Sequence, residues 1–184
     1  PEWLASDLLG QAEHDQLAQC ILISKDKNIL EKTKKEVFEQ LKNLPRSSVA
    51  KKSLMMNGIL IYANSDKKII EITNKIGPEH LELNVKNYKS FVAKIKNAGS
   101  VCLGKYAVMA MTDYGAPGSN HVLPTDSSSK YSSGLNVSEF MKKISYITLS
   151  KKGIDKLGPS VITLANYEGL QGHAQSIVKR IRRK

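Results

Sequence analysis

The fold is decided by the stretch Cys20–Tyr62, which reads CILISKDKNILEKTKKEVFEQLKNLPRSSVAKKSLMMNGILIY. It begins and ends with a short apolar run, Cys20–Ser24 and Ile59–Tyr62, and each run predicts a buried parallel strand. Between the two runs, apolar side chains repeat at helical spacing over residues 27–44, and a second short helix is predicted over 47–56. This order indicates parallel strands that are joined by crossover helices.

The same alternation continues on both sides of this stretch. The remaining patterns predict helices over 3–14, 65–76 and 86–97 and strands over 81–85 and 100–103. The order implies an α/β fold with helices on both faces of parallel sheet layers. From residue 112 to 134 the composition shifts to Gly, Ser, Pro, Asn and Asp, which predicts a long loop of the kind that is often functional. The last part is predicted to be a separate, mostly helical tail, with helices over 137–142, 151–165 and 172–183 and a strand over 144–149.

The composition is that of a folded protein rather than a disordered one, with 41% hydrophobic and 24% charged residues among 184. No apolar run reaches the roughly 18 residues of a membrane-spanning helix, and no signal peptide is visible. The two cysteines, Cys20 and Cys102, lie in apolar runs, so we expect buried free thiols and a cytoplasmic protein. Because the chain begins at Pro1 inside a helical pattern, we expect it to be part of something longer.

The formal net charge of +11 raises nucleic acid as a possible partner. Much of that charge is lysine scattered along helical patterns, which is typical of a solvated face. The only dense basic run is Lys179–Lys184, and basic residues in a last helical turn also suit the helix dipole. A basic nucleic-acid-binding module therefore stays an alternative function, although we expect no nucleic-acid partner.

All four histidines lie beside another residue that can bind a metal ion or move a proton. Gln11 and His14 are three apart on a predicted helix and share a face, so they are either two metal ligands or a polar helix end with nothing bound. Glu79 and His80 follow a Gly-Pro turn at the edge of a predicted strand. They could divide acid and base work between them, or be a turn acid and a hydrogen-bonded histidine.

Asp113 and His121 flank a glycine-rich turn, and a carboxylate and an imidazole brought together in this way suit a divalent metal or its substrate. Glu168 and His173 are five residues apart, about 140° around a continuous helix, so one regular helix cannot aim both at one point. The two glycines between them predict that a helix begins near residue 172. Two histidines and an aspartate could also hold a water-activating metal, which leaves a metal-dependent hydrolase as another alternative.

These motifs together resemble histidinol dehydrogenase, in that family's order and with nearly its spacing, from the first residue to the last. The segments that carry the resemblance are Gln11–Asp15, Pro78–Leu83, Asp113–Tyr114, Asn120–Thr125, Ser133–Leu135 and Glu168–Leu170 with His173. The resemblance covers the carboxy-terminal part, somewhat under half, of a full-length enzyme. It implies a zinc-dependent enzyme that oxidises L-histidinol through the aldehyde to L-histidine, with two hydride transfers to NAD.

The resemblance also assigns roles by position. It implies a zinc site formed by Gln11, His14, Asp113 and His173. It implies an acid/base pair formed by Glu79 and His80. The substrate-binding residues that it implies are His80, His121 and Glu168. In the family, the tail glutamate and the last histidine come from the partner subunit of an intertwined homodimer. The tail here is therefore expected to be exchanged in a dimer.

With the resemblance, the fold is expected to be an incomplete Rossmann-like arrangement in three parts. Residues 1–72 would be the remaining part of a nucleotide-binding domain, 73–134 would carry the acid/base pair and the metal and substrate loop, and 135–184 would be the dimerising tail. The family's NAD-contacting residues lie upstream of Pro1, and no glycine-rich dinucleotide fingerprint occurs in this sequence. We therefore predict that this chain by itself cannot catalyse the reaction.

Overall fold

The structure is a computed structural model that describes residues 1–115 and 120–181. Two predicted features lie partly outside the described residues: the glycine-rich turn before His121 and the end of the basic run Lys179–Lys184. The chain divides into two compact units, unit 1 from Pro1 to Glu139 and unit 2 from Phe140 onward. Within the described ranges, no helix has both the length and the apolar character needed to cross a membrane.

Unit 1 alternates helices and strands through residue 114. Its helices and strands are α1 (Glu2–Ala12), β1 (Ile21–Ser24), α2 (Lys27–Leu41), α3 (Ser47–Asn57), β2 (Ile59–Tyr62), α4 (Asp66–Ile76), β3 (His80–Leu83), α5 (Tyr88–Val92), β4 (Ser100–Leu103) and α6 (Met109–Tyr114). Two short 3₁₀ turns follow, at Ser128–Lys130 and Val137–Phe140.

The four strands form two parallel pairs, as the alternating pattern predicts. Strand β1 pairs with β2, with Ile21 opposite Ile59, and β3 pairs with β4, with His80 opposite Ser100. Each pair is joined by a helical crossover, which parallel strands require because their ends lie far apart. The strands are less buried than the sequence predicts, since Ile59 is 41% exposed.

The main core of unit 1 lies where α1, α2 and α3 meet. Its buried members are Ala5, Leu9, Ala12, Cys20, Val37, Leu41 and Ala50. Each fully buried leucine or valine contributes about 1.5–3 kcal/mol of transfer free energy, so this cluster holds the first three helices together. Helix α2 also has a side-chain cap, because the carboxylate of Asp26 accepts hydrogen bonds from Asn28 N and Ile29 N.

Four predictions made from the sequence are wrong in detail. The helix predicted over 137–142 is only a 3₁₀ turn at Val137–Phe140. The helix predicted over 86–97 is only the five residues of α5. The predicted loop begins at residue 112, but helix α6 continues through Tyr114. The strand predicted over 144–149 does not form, and Tyr146 within it is 90% exposed. A strand needs a neighbouring strand to satisfy its backbone groups, and the described part of the chain offers none there.

Unit 2 is a pair of helices, close to the sequence prediction. Helix α7 (Lys151–Tyr167) is capped by Ser150 Oγ, which accepts from Gly153 N at 3.1 Å, and α8 is Gln171–Ile181. The chain turns between them at Gly169, whose φ of 76° is in the left-handed region. The two helices approach closely at Gly158, where an added Cβ would lie 2.4 Å from Ile181 Cδ1.

We predict that Gly77→Ala destabilises the protein by about 1–2 kcal/mol, because Gly77 ends α4 with a φ of 62° that an L side chain rarely adopts. An added Cβ would also lie 3.0 Å from Ser129 Oγ and 3.2 Å from Lys130 Cγ. The free energy of unfolding, measured by urea denaturation, checks this. The control is Gly172→Ala, which has an ordinary φ and no atom within 4 Å, and should cost nothing. Equal stability of the two variants would contradict the prediction.

Candidate active site

A turn before β3 places Glu79 and His80 at one end of the β3–β4 pair. Helix α4 ends at Gly77, Pro78 follows, and Ser100 N then donates a hydrogen bond of 2.8 Å to the carbonyl of Glu79. The regular strand begins only at His80. Glu79 therefore lies outside the region in which neighbouring side chains must point to opposite faces, and the two side chains can approach each other.

Three side chains lie close together here, those of Glu79, His80 and Asp113. Glu79 Oε1 lies 3.7 Å from His80 Nε2, and Asp113 Oδ1 lies 3.9 Å from the same nitrogen. The side chain of Asp113 is 5% exposed and that of His80 is 13% exposed, whereas Glu79 is 31% exposed. These distances are longer than hydrogen bonds, so the three groups are neighbours without direct hydrogen bonds among these atoms. The other ring nitrogen of His80, Nδ1, is buried without a hydrogen-bond partner among the described residues.

Asp113 lies between two imidazoles. His121 Nδ1 is 3.9 Å from Asp113 Oδ1, the same oxygen that faces His80. The side chain of His121 is 67% exposed, so it lies on the solvent side of Asp113. The backbone next to it is held by Asn120, whose Oδ1 accepts from Val122 N at 2.9 Å. The structure thus brings two carboxyl groups and two imidazoles to one place, with Asp113 as the most enclosed member.

Gln11 and His14 lie at the end of α1. The helix stops at Ala12, so His14 is in the following turn, where its N–H donates to the carbonyl of Gln11 at 3.3 Å. The sequence predicts that both residues lie on one face of a helix, but only Gln11 is within the helix. His14 lines a cleft of about 460 Å³ together with basic side chains such as Arg46 and Lys52. None of the other predicted site residues lines that cleft.

Glu168 and His173 lie in unit 2, on either side of the turn between its helices. Glu168 ends α7, and His173 is in the first turn of α8. Both residues are exposed. Across residues 1–115 and 120–181, three or more His, Cys, Asp or Glu side chains nowhere gather in an arrangement that could hold a metal ion.

The sequence motifs do not single out Asp7 on α1 and Glu82 on β3, two carboxyl groups whose interaction affects the pKa of each. Burial raises the pKa of both groups. For Glu82 the pKa rises to about 7, because burial and the nearby charge of Asp7 outweigh a hydrogen bond from Met109 N. That bond, from Met109 N to Glu82 Oε1, is 2.8 Å long. The sequence does hold one sign of this pair, because Glu82 is an acidic residue between Leu81 and Leu83 in a predicted strand.

Comparison with known proteins identifies the family. A family model for histidinol dehydrogenase matches residues 1–181. This chain belongs to the histidinol dehydrogenase family. The histidinol dehydrogenase of Pelagibacter ubique is 73% identical over all 184 residues, and that of Listeria monocytogenes is 45% identical over 177 residues, or 96% of the chain. The crystal structure of histidinol dehydrogenase from Elizabethkingia anophelis matches 99% of the chain with a TM-score of 0.87 and 39% identity.

The chain spans less than half the length of the histidinol dehydrogenases that it matches. It covers 43% of the Pelagibacter ubique protein, 41% of the Listeria monocytogenes protein and 42% of the chain in the Elizabethkingia anophelis structure. The mixed α/β fold with parallel strand pairs agrees with that structure.

We predict that Glu82 makes the protein less stable as pH rises from about 4.5 to about 7. Since the pKa of Glu82 in the folded protein is about 7 and its ordinary value is 4.5, the folded state holds more protons than the unfolded state in this window. The free energy of unfolding therefore falls as pH rises. The loss is on the order of 1–2 kcal/mol, below the fully buried limit because the carboxyl group is partly solvated.

Glu82→Gln checks this, because glutamine is neutral at every pH and keeps the shape of the protonated acid. Urea denaturation at pH 5 and pH 7.5 should show a smaller difference in stability for Glu82→Gln than for the wild type. Glu71→Gln is the matched control, since Glu71 pairs with Lys68 at the surface, and it should keep the wild-type difference. A wild-type pH dependence in Glu82→Gln would contradict the prediction.

Proposed function

We propose that the complete protein that contains this sequence is a zinc-dependent, NAD-linked dehydrogenase that oxidises L-histidinol through L-histidinal to L-histidine. These would be the last steps of histidine biosynthesis. The observation that carries the proposal is the convergence of Glu79, His80, Asp113 and His121 in a chain of the histidinol dehydrogenase family. A cluster of imidazoles and carboxyl groups supplies both the proton carriers and part of the ligand set that such a reaction needs.

The geometry suits His80 as the base that takes the alcohol proton. Its imidazole is largely enclosed, and Nε2 faces the place between Glu79 and Asp113. Removal of the proton from the alcohol oxygen would accompany departure of a hydride from the adjacent carbon to NAD, giving the aldehyde. An enclosed base is shielded from bulk water, which favours transfer of the substrate's own proton.

Glu79 suits the second stage, because it is the most exposed of the three side chains that meet at His80. As a base it would take a proton from a water molecule that adds to the aldehyde carbon. The resulting hydrate anion carries a hydrogen on that carbon and gives it up as a second hydride to a second NAD, which leaves the carboxylic acid. Loss of one further proton leaves the carboxylate of L-histidine.

Gln11, His14, Asp113 and His173 are the zinc ligands in this proposal. Their oxygen and imidazole donors are of the type that zinc takes. Asp113 supports the fit in its own right, because a carboxylate that is only 5% exposed needs a positive partner, and both nearby imidazoles are 3.9 Å away. Bound zinc would supply an anchor for the imidazole and amine of the substrate. His121 and Glu168 would contact the substrate with His80.

His173 and Glu168 are proposed to act in the partner subunit of a homodimer, through exchange of the tail. Unit 2 supports this, because its two helices leave large apolar side chains uncovered. The exposed set on and next to these helices includes Leu149, Leu157, Val161, Leu164, Tyr167 and Leu170. Leu157, Val161 and Leu164 are spaced along one face of α7, and an exposed apolar face is typical of a subunit interface.

We infer that the NAD contacts come from the part of the complete protein that this sequence does not include. The sequence carries no glycine-rich dinucleotide fingerprint, and it spans 41–43% of the length of the relatives. The proposed activity therefore belongs to the complete protein, and this chain by itself is expected to be inactive. A cytoplasmic location is proposed with it.

We predict that His80→Asn lowers kcat for histidinol oxidation by about 10²- to 10⁴-fold, the usual contribution of a general base. The affinity for zinc should change little, because His80 is not a proposed ligand. Asp113→Ala should instead weaken zinc binding by more than about 100-fold, beyond what loss of an outer partner costs. NADH formation and competition with a zinc chelator measure the two quantities in the complete protein.

The control for Asp113→Ala is Asp66→Ala, which removes a half-exposed carboxylate that pairs with Lys25. Asp66→Ala should keep both the activity and the zinc affinity of the wild type. The proposal fails if the wild type forms no NADH from histidinol, or if His80→Asn keeps the wild-type kcat.

A further inference from the structure

Helix α6 is tied to strand β3 at two points. At its first residue, Met109 N donates to Glu82 Oε1 at 2.8 Å, and four residues later Asp113 Oδ1 lies 3.9 Å from His80 Nε2. The two spacings match, because four residues of α-helix advance about 6 Å and two residues of strand advance about 6.6 Å. The helix therefore runs back along the strand, and the bond at Glu82 fixes the register at which Asp113 meets His80.

Helix α6 is short, so the contacts at its first turn matter for its position. The residue before the helix is Val108, whose side chain makes no capping hydrogen bond. A helix of six residues is marginal without tertiary contacts. The side chain of Met109 is buried, and its Cε would lie 3.8 Å from a Cβ added at Gly10 of α1.

Helix α1 is tied to the same point. Asp7 lies close enough to Glu82 for each carboxyl group to affect the pKa of the other, and it is one helical turn before Gln11, on the same face of α1. Asp7, Glu82 and Met109 thus form one layer of contacts between three elements. One turn or two strand residues farther along, the same three elements carry the remaining groups: Gln11, His80 and Asp113.

We propose that Glu82 is a positioning residue, which sets Asp113 in place relative to His80 by accepting a hydrogen bond from Met109 N, and which helps to place Gln11 through its interaction with Asp7, one turn earlier on α1. This rests on the proposed function, in which Asp113 and Gln11 are metal ligands. Glu82 acts through the backbone of α6 and through α1, and is itself one layer removed from the substrate and the metal. The role requires an acceptor for Met109 N and a polar partner for Asp7, both of which glutamine can supply.

The test uses the complete protein, with zinc removed by chelation and then titrated back in competition with a fluorescent chelator. Glu82→Ala should weaken zinc binding by about 10- to 100-fold, the range for loss of an outer partner of a ligand. At saturating zinc it should lower kcat for histidinol more than it raises KM. Glu82→Gln should stay within about threefold of the wild type in both measurements, because the glutamine side-chain oxygen can still accept from Met109 N.

The matched control is Asp26→Ala, which removes another carboxylate that accepts from helical N–H groups, at the start of α2. It should lower the melting temperature and leave zinc affinity and kcat unchanged. A variant that is merely less stable, such as Asp26→Ala, is therefore distinguished from one that weakens zinc binding. Zinc affinity is measured at a temperature where circular dichroism shows every variant to be folded.

The outcomes separate the two proposals. A wild type that neither binds zinc nor oxidises histidinol contradicts the proposed function. An active, zinc-binding wild type with unchanged zinc affinity and kcat in Glu82→Ala overturns only the positioning role. If Glu82→Ala does not fold, the variant Asp7→Ala tests the proposal instead. It removes only the interaction between Asp7 and Glu82, and Asp7 is itself only half-buried. Zinc binding that is about three- to tenfold weaker supports the role, and unchanged binding overturns it.

Discussion

The parallel pairing of β3 with β4 determines how the chain must assemble the cluster at His80. His80 is opposite Ser100, so both strands begin at the same end, and the chain leaves β4 at the far end after Leu103. To return to His80 it must travel back along the pair, and it does so through α6 after a turn at Gly104, whose φ is 82°. Asp113 reaches His80 because the length of this return matches the length of the strand.

Burial of the carboxyl groups of Asp7 and Glu82 costs stability, and the position of α6 gives a reason for that cost. A carboxyl group inside an apolar strand loses hydration, and two such groups side by side favour holding a proton between them. An apolar residue in place of Glu82 would avoid that loss but would leave Met109 N without its acceptor. Groups with raised pKa values are concentrated at functional sites because position there can matter more than stability.

The elements that the sequence predicts well are those whose information is local. Apolar runs predict β1 to β4, and helical periodicity predicts the helices of the main core, as well as α7 and α8. Helix α6 was missed because its capping acceptor, Glu82, lies 27 residues away along the chain. The strand predicted over 144–149 is wrong because an apolar pattern does not supply a neighbouring strand. In the candidate site, residue types could be identified one by one, whereas the approach of Asp113 to His80 depends on the folded return.

The exposed apolar strands have a consequence for the proposed zinc site. Two-stranded sheets are marginal by themselves, and Leu60 and Tyr62 on β2 are 38% and 48% exposed. Under the proposed function, further chain covers these strands and a second copy covers the helices of unit 2. The proposed ligands are spread over α1, α6 and α8, so their geometry depends on how firmly those helices are packed. The hydrogen bond at the start of α6 is one of the contacts on which the position of Asp113 depends.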